Sequence, residues 1–430
     1  MDGDQFFPGV QPARVDKVHF ENVGRTKNDV LAKAVQTLMD CTTFTEILLK
    51  CAEARRQLDQ LGAFKRIDVE IQTSKSPGAT EHGYEVIFDV EEKKTISGGV
   101  NGLVANNEGT MVMGAQLPNV GGRGEFIQAQ VQYGTKHSSG FNITASKPFL
   151  GKRNSRFTVA AYEEAADYPW NAFRERIRGV LAEYSFRSLP SIDHSLRWEG
   201  VWRELNPLGI TVPFPVREQM GHSLKSALKH IMTIDTTDNP VLPTEGFSLR
   251  VCSEVAGHNL GGDIRFVKNE LEHQMNFSLF NDLVLQLTAN AGHMTPNEQH
   301  NISDKFFLGG PLGLRGFKLR GVGPQCEGAS LGGTTYWSTG CHLYSPLPFR
   351  RGHGYIGEYL RLHGFVTAGS LSEGVDSAKL QDPSVSAGLG VVLSLGHQVR
   401  IELNYAVPLR HQRSDRTNSG LQFGMGMAFL

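Results

Sequence analysis

Hydrophobic and polar residues follow two different rhythms along this chain. Residues 1–13 carry little periodicity, and the sequence predicts a disordered tail there. From Arg14, Val15, Val18 and Phe20 alternate with polar neighbours and predict a short strand. Thr26-Lys27-Asn28-Asp29 reads as a helix N-cap with an acid three residues on, and Val30, Ala34, Val35 and Leu38 follow at helical spacing. A second helix is predicted from about Phe44 to Leu61, on Ile47, Leu48, Ala52, Leu58 and Leu61, with Gly62 as its stop. Two alternating strands come next, on Ile67, Val69 and Ile71, then on Tyr84, Val86, Phe88 and Val90. The order β-α-α-β-β over residues 14–94 is one small domain with its own modest core.

After Glu92 the helical period stops and a period of two runs almost to the last residue. Ile127, Ala129, Val131 and Tyr133 interleave with Gln128, Gln130 and Gln132. Val399, Ile401, Leu403 and Tyr405 interleave with Arg400, Glu402 and Asn404. Such alternation gives a sheet one apolar and one polar face. Sixteen strands are predicted, near 95–104, 109–117, 124–134, 138–147, 154–163, 176–186, 194–204, 221–233, 245–256, 263–278, 281–292, 333–345, 358–368, 384–395, 398–407 and 421–430. The segment 221–233 is the weakest, because Leu224, Leu228 and Ile231 also fit a helix. A soluble sandwich alternates too. Here no helical segment long enough to cover a sheet interrupts the pattern, and the strands run roughly ten residues, as a tilted membrane strand requires. The fold class expected is mainly β, an antiparallel transmembrane β-barrel of about sixteen strands over residues 95–430 behind the small domain.

Composition sharpens this picture at a few points. Hydrophobic residues make up 40 % of the chain, and no window nears 18 consecutive apolar residues, so an apolar transmembrane helix is not expected. A barrel hides its apolar face in every second residue, so bulk hydropathy does not argue against it. A net charge of -1 lacks the basic footprint of a nucleic-acid binder. The N-terminus, Met1-Asp2-Gly3-Asp4, reads as neither a secretory signal nor an Arg-rich transit peptide. The five cysteines contain no C-x-x-C and read as free thiols in a reducing compartment. H-E-x-x-H, G-x-S-x-G and Walker signatures are missing, and the histidines are scattered, so neither an enzyme nor a metal or other cofactor is expected.

Two clusters stand outside the alternation. The stretch from about 293 to 332 has no strand pattern and contains Phe307-Leu308-Gly309-Gly310-Pro311-Leu312-Gly313-Leu314-Arg315-Gly316-Phe317. It is either a mobile surface loop or a structured loop folded into the lumen, where Arg315 could offer its five donors to the inner wall. The other, Asp235-Thr236-Thr237-Asp238-Asn239-Pro240-Val241-Leu242-Pro243-Thr244-Glu245-Gly246, is dense in turn residues and predicts a hairpin connection.

These clusters, in this order on an alternating C-terminal region, resemble the BamA-type superfamily of outer-membrane-protein insertases. The fit is closest to its mitochondrial branch, the channel subunit of the sorting and assembly machinery. The resemblance covers nearly the whole chain after residue 14. It makes the first domain a POTRA domain, through Val18-His19-Phe20, Gly24-Arg25-Thr26 and Leu61-Gly62-Ala63-Phe64. Asp235, Pro240, Pro243 and Gly246 match the family's D-x-x-x-x-P-x-x-P-x-x-G segment. Leu314-Arg315-Gly316-Phe317, preceded by Gly309 and Gly310, matches its lumenal loop tip, and the resemblance implies that Arg315 anchors that loop to the inner wall. Bacterial relatives place acids opposite this arginine, whereas His342 and Thr367 occupy the matching positions here. The partner of Arg315 is therefore left open between a backbone carbonyl and an acid such as Glu358 or Glu402.

The resemblance implies insertion of β-barrel proteins into the mitochondrial outer membrane, with the POTRA domain toward the intermembrane space. The implied partners are unfolded β-barrel precursors, membrane lipid and metaxin-like accessory subunits. A barrel insertase can template an incoming strand on its own edge, because orphan backbone groups in hydrocarbon cost several kcal/mol each. Strand glycines weaken pairing, so the expected seam lies between the first strand, with Gly98, Gly99 and Gly102, and the last, with Gly424 and Gly426. Gln422, Gly424, Met427 and Phe429 also match the signal carried by mitochondrial barrel substrates. The competing readings are a passive outer-membrane pore and a tether at membrane contact sites.

Overall fold

The structure is a computed structural model, and it describes residues 12–75, 80, 82–105, 108–150, 154–295, 299–347, 359–375, 382–395 and 399–426. At the N-terminus, β1 (Arg14–Glu21), α1 (Asn28–Val35), α2 (Phe44–Gln60), β2 (Phe64–Thr73) and β3 (Gly83–Glu92) follow the expected order. The sheet runs β1-β3-β2, parallel between β1 and β3 and antiparallel between β2 and β3. Of the apolar stripe read from the helical period, Leu38, Ile47, Leu58 and Leu61 are buried against Phe88 of β3, whereas Leu48 and Ala52 are exposed and Cys51 and Ala54 are buried in their place. Two further expectations fail here. The tail ends earlier than predicted, because Ala13 is buried and its N–H donates to the Thr42 carbonyl at 3.0 Å. Thr26 does not cap α1 either; Lys27 takes that position without a side-chain cap. The Thr26 hydroxyl instead donates to Glu92 at 2.7 Å.

Sixteen strands form one sheet. They are β4 (Ser97–Ala105), β5 (Glu108–Pro118), β6 (Phe126–Gly134), β7 (Ser139–Phe149), β8 (Ser155–Tyr168), β9 (Phe173–Leu189), β10 (Ile192–Pro207) and β11 (Gly221–Asp235). After them come β12 (Gly246–Ala256), β13 (Phe266–Ser278), β14 (Val284–Met294), β17 (Thr335–Pro346), β18 (Leu360–Ser372), β19 (Ser384–Leu395), β20 (Val399–Arg410) and β21 (Gly420–Gly426). Two short strands, β15 (Gln325–Cys326) and β16 (Ala329–Ser330), pair with each other inside the long connection from β14 to β17. Each predicted strand overlaps an observed one, including the doubtful segment, which is β11. Its Leu224 and Leu228 both face outward, as period two requires.

Alternation sorts the side chains as membrane strands demand. On β20, Leu403, Tyr405 and Val407 are exposed on the outside, whereas Arg400, Glu402 and Asn404 are buried inside. On β10, Leu196 and Trp198 face out, and Val201 and Arg203 face in. None of the described helices is long and apolar enough to cross a membrane. Each strand reverses direction relative to the last, so the β14–β17 connection opens at the end away from the N-terminal region, and the β11–β12 connection lies at the near end.

The N-terminal region and the barrel meet at the β5–β6 turn. Asn119 Nδ2 donates to the Thr26 hydroxyl at 2.9 Å, and Lys27 N donates to the Gly122 carbonyl at 2.9 Å. Arg25 Nη1 donates to the Pro118 carbonyl at 3.2 Å, and Glu92 accepts from the backbone N–H groups of Arg25 and Thr26. Glu92, partly buried, is held below the usual carboxylate range: burial pushes it up, but the bonds from Thr26 and the neighbouring amides outweigh that. Gly122 has φ +79°, and a Cβ there would sit 2.5 Å from the Arg25 carbonyl oxygen. Gly122→Ala is therefore expected to loosen this joint at a cost of about 1–3 kcal/mol. Limited proteolysis should cleave between the two regions faster in the variant, with the barrel still folded.

Candidate functional site

The β14–β17 connection folds back into the lumen, which decides between the two readings of this loop. Its Gly309 and Gly310 both have φ near +110°, and Gly310 N donates to the Leu314 carbonyl at 3.2 Å, which forms a tight turn. Leu314 and Phe317 are fully buried and pack with Leu308, Phe266, Met294 and Leu371. Between them Arg315 points the other way, fully buried, to the inner face of β20. Its Nε and Nη2 donate to Glu402 Oε2 at 3.1 and 2.8 Å. Of the partners left open by the sequence, Glu402 is one that Arg315 bonds; Glu358 lies outside the described residues. Gly316 is squeezed against β19, with φ +83° and a Cβ site only 3.0 Å from that of Ser386.

Glu402 also pairs with Arg400 two residues earlier on the same face. Arg400 Nη2 donates to the Tyr344 hydroxyl at 2.5 Å, and that hydroxyl donates to Gln286 Oε1 at 2.9 Å. One carboxylate therefore serves two guanidinium groups in a site closed to solvent. The aromatic rings beside them supply further negative surface. The Arg315 guanidinium lies 5.2 Å from the Phe365 ring centre, and that of Arg400 5.1 Å from Tyr344.

His342 and Thr367, which the resemblance sets opposite Arg315, have other tasks. His342 Nδ1 is 3.0 Å from His363 Nε2, and His363 Nδ1 is 2.9 Å from Asn404 Oδ1. Asn404 Nδ2 in turn donates to Glu402 Oε2 at 2.7 Å. An amide oxygen only accepts, so His363 carries a proton on Nδ1. The chain His342–His363–Asn404 thus orients Glu402. Thr367 contacts Ser386 at 2.9 Å instead.

The turn cluster does more than reverse the chain. Asp235 accepts from Thr237 N at 2.9 Å, Gly246 has φ +94°, and Pro243 is buried. Pro240 lies on the wall of the lumenal chamber. Leu242 enters the near end of the barrel and packs on Tyr344, Val284 and Val392, under the Arg400 pair. The hairpin signal alone could not show this plug; the buried Val241-Leu242 dipeptide between two prolines is the trace it leaves in the sequence.

At the ends of the sheet, β4 and β21 are neighbours in space, with Cα atoms within 8 Å of each other. They are the two ends of the sheet order, which begins at β21 and ends at β4. Gly98, Gly99 and Gly102 lie on β4, and Gly424 and Gly426 on β21. Leu421 and Phe423 face out, whereas Gln422 turns into the lumen and bonds the loop tip. Met427 and Phe429 lie outside the described residues. Sequence reasoning missed Asp304, a buried acid in the loop that binds Arg203 and Lys225; it sits in an Asn-Ile-Ser-Asp capping pattern that was the available signal.

Comparison with known proteins agrees with this architecture. Residues 119–429 match the Omp85 superfamily domain. The chain is 43 % identical over 426 residues to the Sorting and assembly machinery component 50 homolog of Bos taurus, covering 97 % of this chain and 90 % of that protein. It is 32 % identical to a SAM50-like protein of Drosophila melanogaster, covering 97 % of this chain and 95 % of the relative. In fold it is similar to the crystal structure of BamA from Haemophilus ducreyi lacking POTRA domains 1–3, with a TM-score of 0.78 at 15 % identity, over 96 % of this chain and 84 % of that one. Matched over its barrel and closely related to full-length proteins of one kind, this chain belongs to the Omp85 superfamily and, within it, to the family of sorting and assembly machinery component 50.

Proposed function

We propose that this chain inserts and assembles β-barrel proteins in the mitochondrial outer membrane by templating their strands at the seam between β4 and β21. The observation that carries this reading is that β4 and β21, the two ends of the sheet order, lie side by side with Cα atoms within 8 Å. An incoming strand in hydrocarbon leaves its N–H and C=O groups orphaned, at several kcal/mol each. An edge already held at membrane depth offers those groups partners one by one, by β-augmentation. The chemistry is hydrogen-bond exchange between strands, and it needs no catalytic side chain.

In this reading the N-terminal β-α-α-β-β region is a POTRA domain that faces the intermembrane space and receives unfolded precursors. The mouth that admits the long loop then opens to the cytosol, where metaxin-like subunits of the machinery would sit. The Arg315–Glu402 pair keeps the loop inside the lumen beside a water-accessible chamber of about 900 Å³. A passive pore has no use for such an anchored obstruction. Depletion of the protein in cells should leave newly imported precursors of other β-barrels unassembled, and re-expression should restore them. Normal assembly of those barrels after depletion, with only membrane conductance reduced, would favour the pore and overturn this reading.

A further inference from the structure

The outer face of α2 is apolar where it meets water. Leu48, Leu49, Ala52, Arg55 and Arg56 recur at three- and four-residue spacing, so they share one side of the helix, and all five are exposed. Leu48 and Leu49 stand out at 48 % and 67 % exposure, whereas Ile47, Cys51, Ala54 and Leu58 fill the core on the opposite side. The charge on this face is open too. Lys50, on its flank, pairs with Glu53 at 2.8 Å, but among the described residues no acid forms an ion pair with Arg55 or Arg56. Single leucines scattered on a surface are ordinary. A contiguous apolar stripe that ends in two cations has the make-up of a site for an acidic, apolar segment.

One such segment belongs to this chain. Asp2, Asp4, Phe6, Phe7 and Val10 lie in residues 1–11, just ahead of the first described residue. Pro12 forms an antiparallel bridge with Thr43, the N-cap of α2, and Ala13 N donates to the Thr42 carbonyl at 3.0 Å. In an antiparallel pair the chain before Pro12 heads the same way as the chain after Thr43, so it leaves the bridge toward the start of α2. The lengths match as well. Phe7 is five residues from Pro12, a reach of up to about 17 Å, and Leu48 and Leu49 lie about 8–9 Å beyond Thr43 along the helix. Asp4 and Asp2 reach up to about 27 and 34 Å from Pro12, enough for the roughly 18–20 Å to Arg55 and Arg56. The order agrees: from Pro12 the segment presents phenylalanines and then acids, and from Thr43 the helix presents leucines and then arginines.

We propose that residues 2–10 dock on the outer face of α2, with Phe6 and Phe7 on Leu48, Leu49 and Ala52 and with Asp2 and Asp4 beside Arg55 and Arg56. The tether decides the occupant. A segment attached at Pro12 is present at an effective concentration on the order of 1 mM, which a free protein of similar chemistry does not reach. A contact that holds a free peptide with a Kd of only about 0.1 mM is then about nine-tenths occupied within the chain. The segment covers the apolar stripe, and a partner that uses this face must displace it. The docking is independent of the seam between β4 and β21.

Alkylation of Ala52→Cys tests the docking on the full-length protein in bilayers, with labelling at that position read by mass spectrometry. Deleting residues 2–10 should speed labelling about tenfold, and Phe6→Ser with Phe7→Ser should do the same. Asp2→Arg with Asp4→Arg should speed it as well, and so should Arg55→Asp with Arg56→Asp. The two pairs combined should slow it again, because the charges are exchanged across one contact. Cys41, buried in the same core, reports any unfolding of a variant. Equal labelling with and without residues 2–10 overturns the docking, and so does a charge exchange that recovers nothing. Protection that falls on dilution would set a second copy on this face, and protection seen in mitochondria but lost on purification would set another molecule there; either result overturns the intramolecular contact.

Discussion

Glu402→Ala is expected to be the most damaging single substitution in the lumen, lowering stability by about 3–5 kcal/mol. The reason is a count of charges. Glu402 is the carboxylate shared by Arg315 and Arg400, and all three are buried. Removing the acid takes from both buried guanidinium groups the carboxylate they share. Removing Arg315 leaves Glu402 still paired with Arg400, so Arg315→Ala should cost clearly less for the barrel while freeing the loop tip. Arg315→Lys should fall between wild type and alanine at the tip, since an ammonium keeps the charge but loses the two-pronged donation from Nε and Nη2. Urea unfolding of the three variants in detergent micelles, with protease sensitivity of the loop as a second readout, checks this order. An alanine at 315 that destabilises the barrel more than one at 402 would contradict the shared-carboxylate account.

The barrel was open to sequence reading because period two is a local property. Each strand declares its two faces within ten residues, and Val399–Tyr405 does so with every apolar side chain out and every polar one in. The helical stripes of the N-terminal region are legible for the same reason. Boundaries that depend on distant partners were not. Thr26 has the chemistry of a helix cap, but Glu92 and Asn119 claim its hydroxyl from elsewhere in the chain. The Arg315 motif could be located in the sequence, yet its partner could not, since Glu402 is one of several inward acids and lies 87 positions away. Gln422 was picked out for its place in a strand signal, and its bond to Gly316 emerges only when β21 is set beside the loop tip. Asp304 shows the limit most plainly. Its capping pattern marks a local turn, and its burial shows only when Arg203 and Lys225 are brought around it.

The seam is where this account is most exposed. Strand exchange requires that β4 and β21 separate, and the glycines at 98, 99, 102, 424 and 426 offer little side-chain packing to resist it. The two strands run antiparallel in the hairpin order, so cysteines placed one at a time along 98–102 and 421–425 can be screened for pairs that form a disulfide. Such pairs need Cα atoms no more than about 7 Å apart. The screen is made in a protein whose five native cysteines, all free, have been replaced. The decisive measurement is insertion of a radiolabelled β-barrel precursor by membranes carrying one of these seam disulfides, before and after reduction. The account predicts that oxidation abolishes assembly of the precursor and that a reductant restores it to the level of the cysteine-free protein. Undiminished assembly through a fully oxidised seam would contradict it.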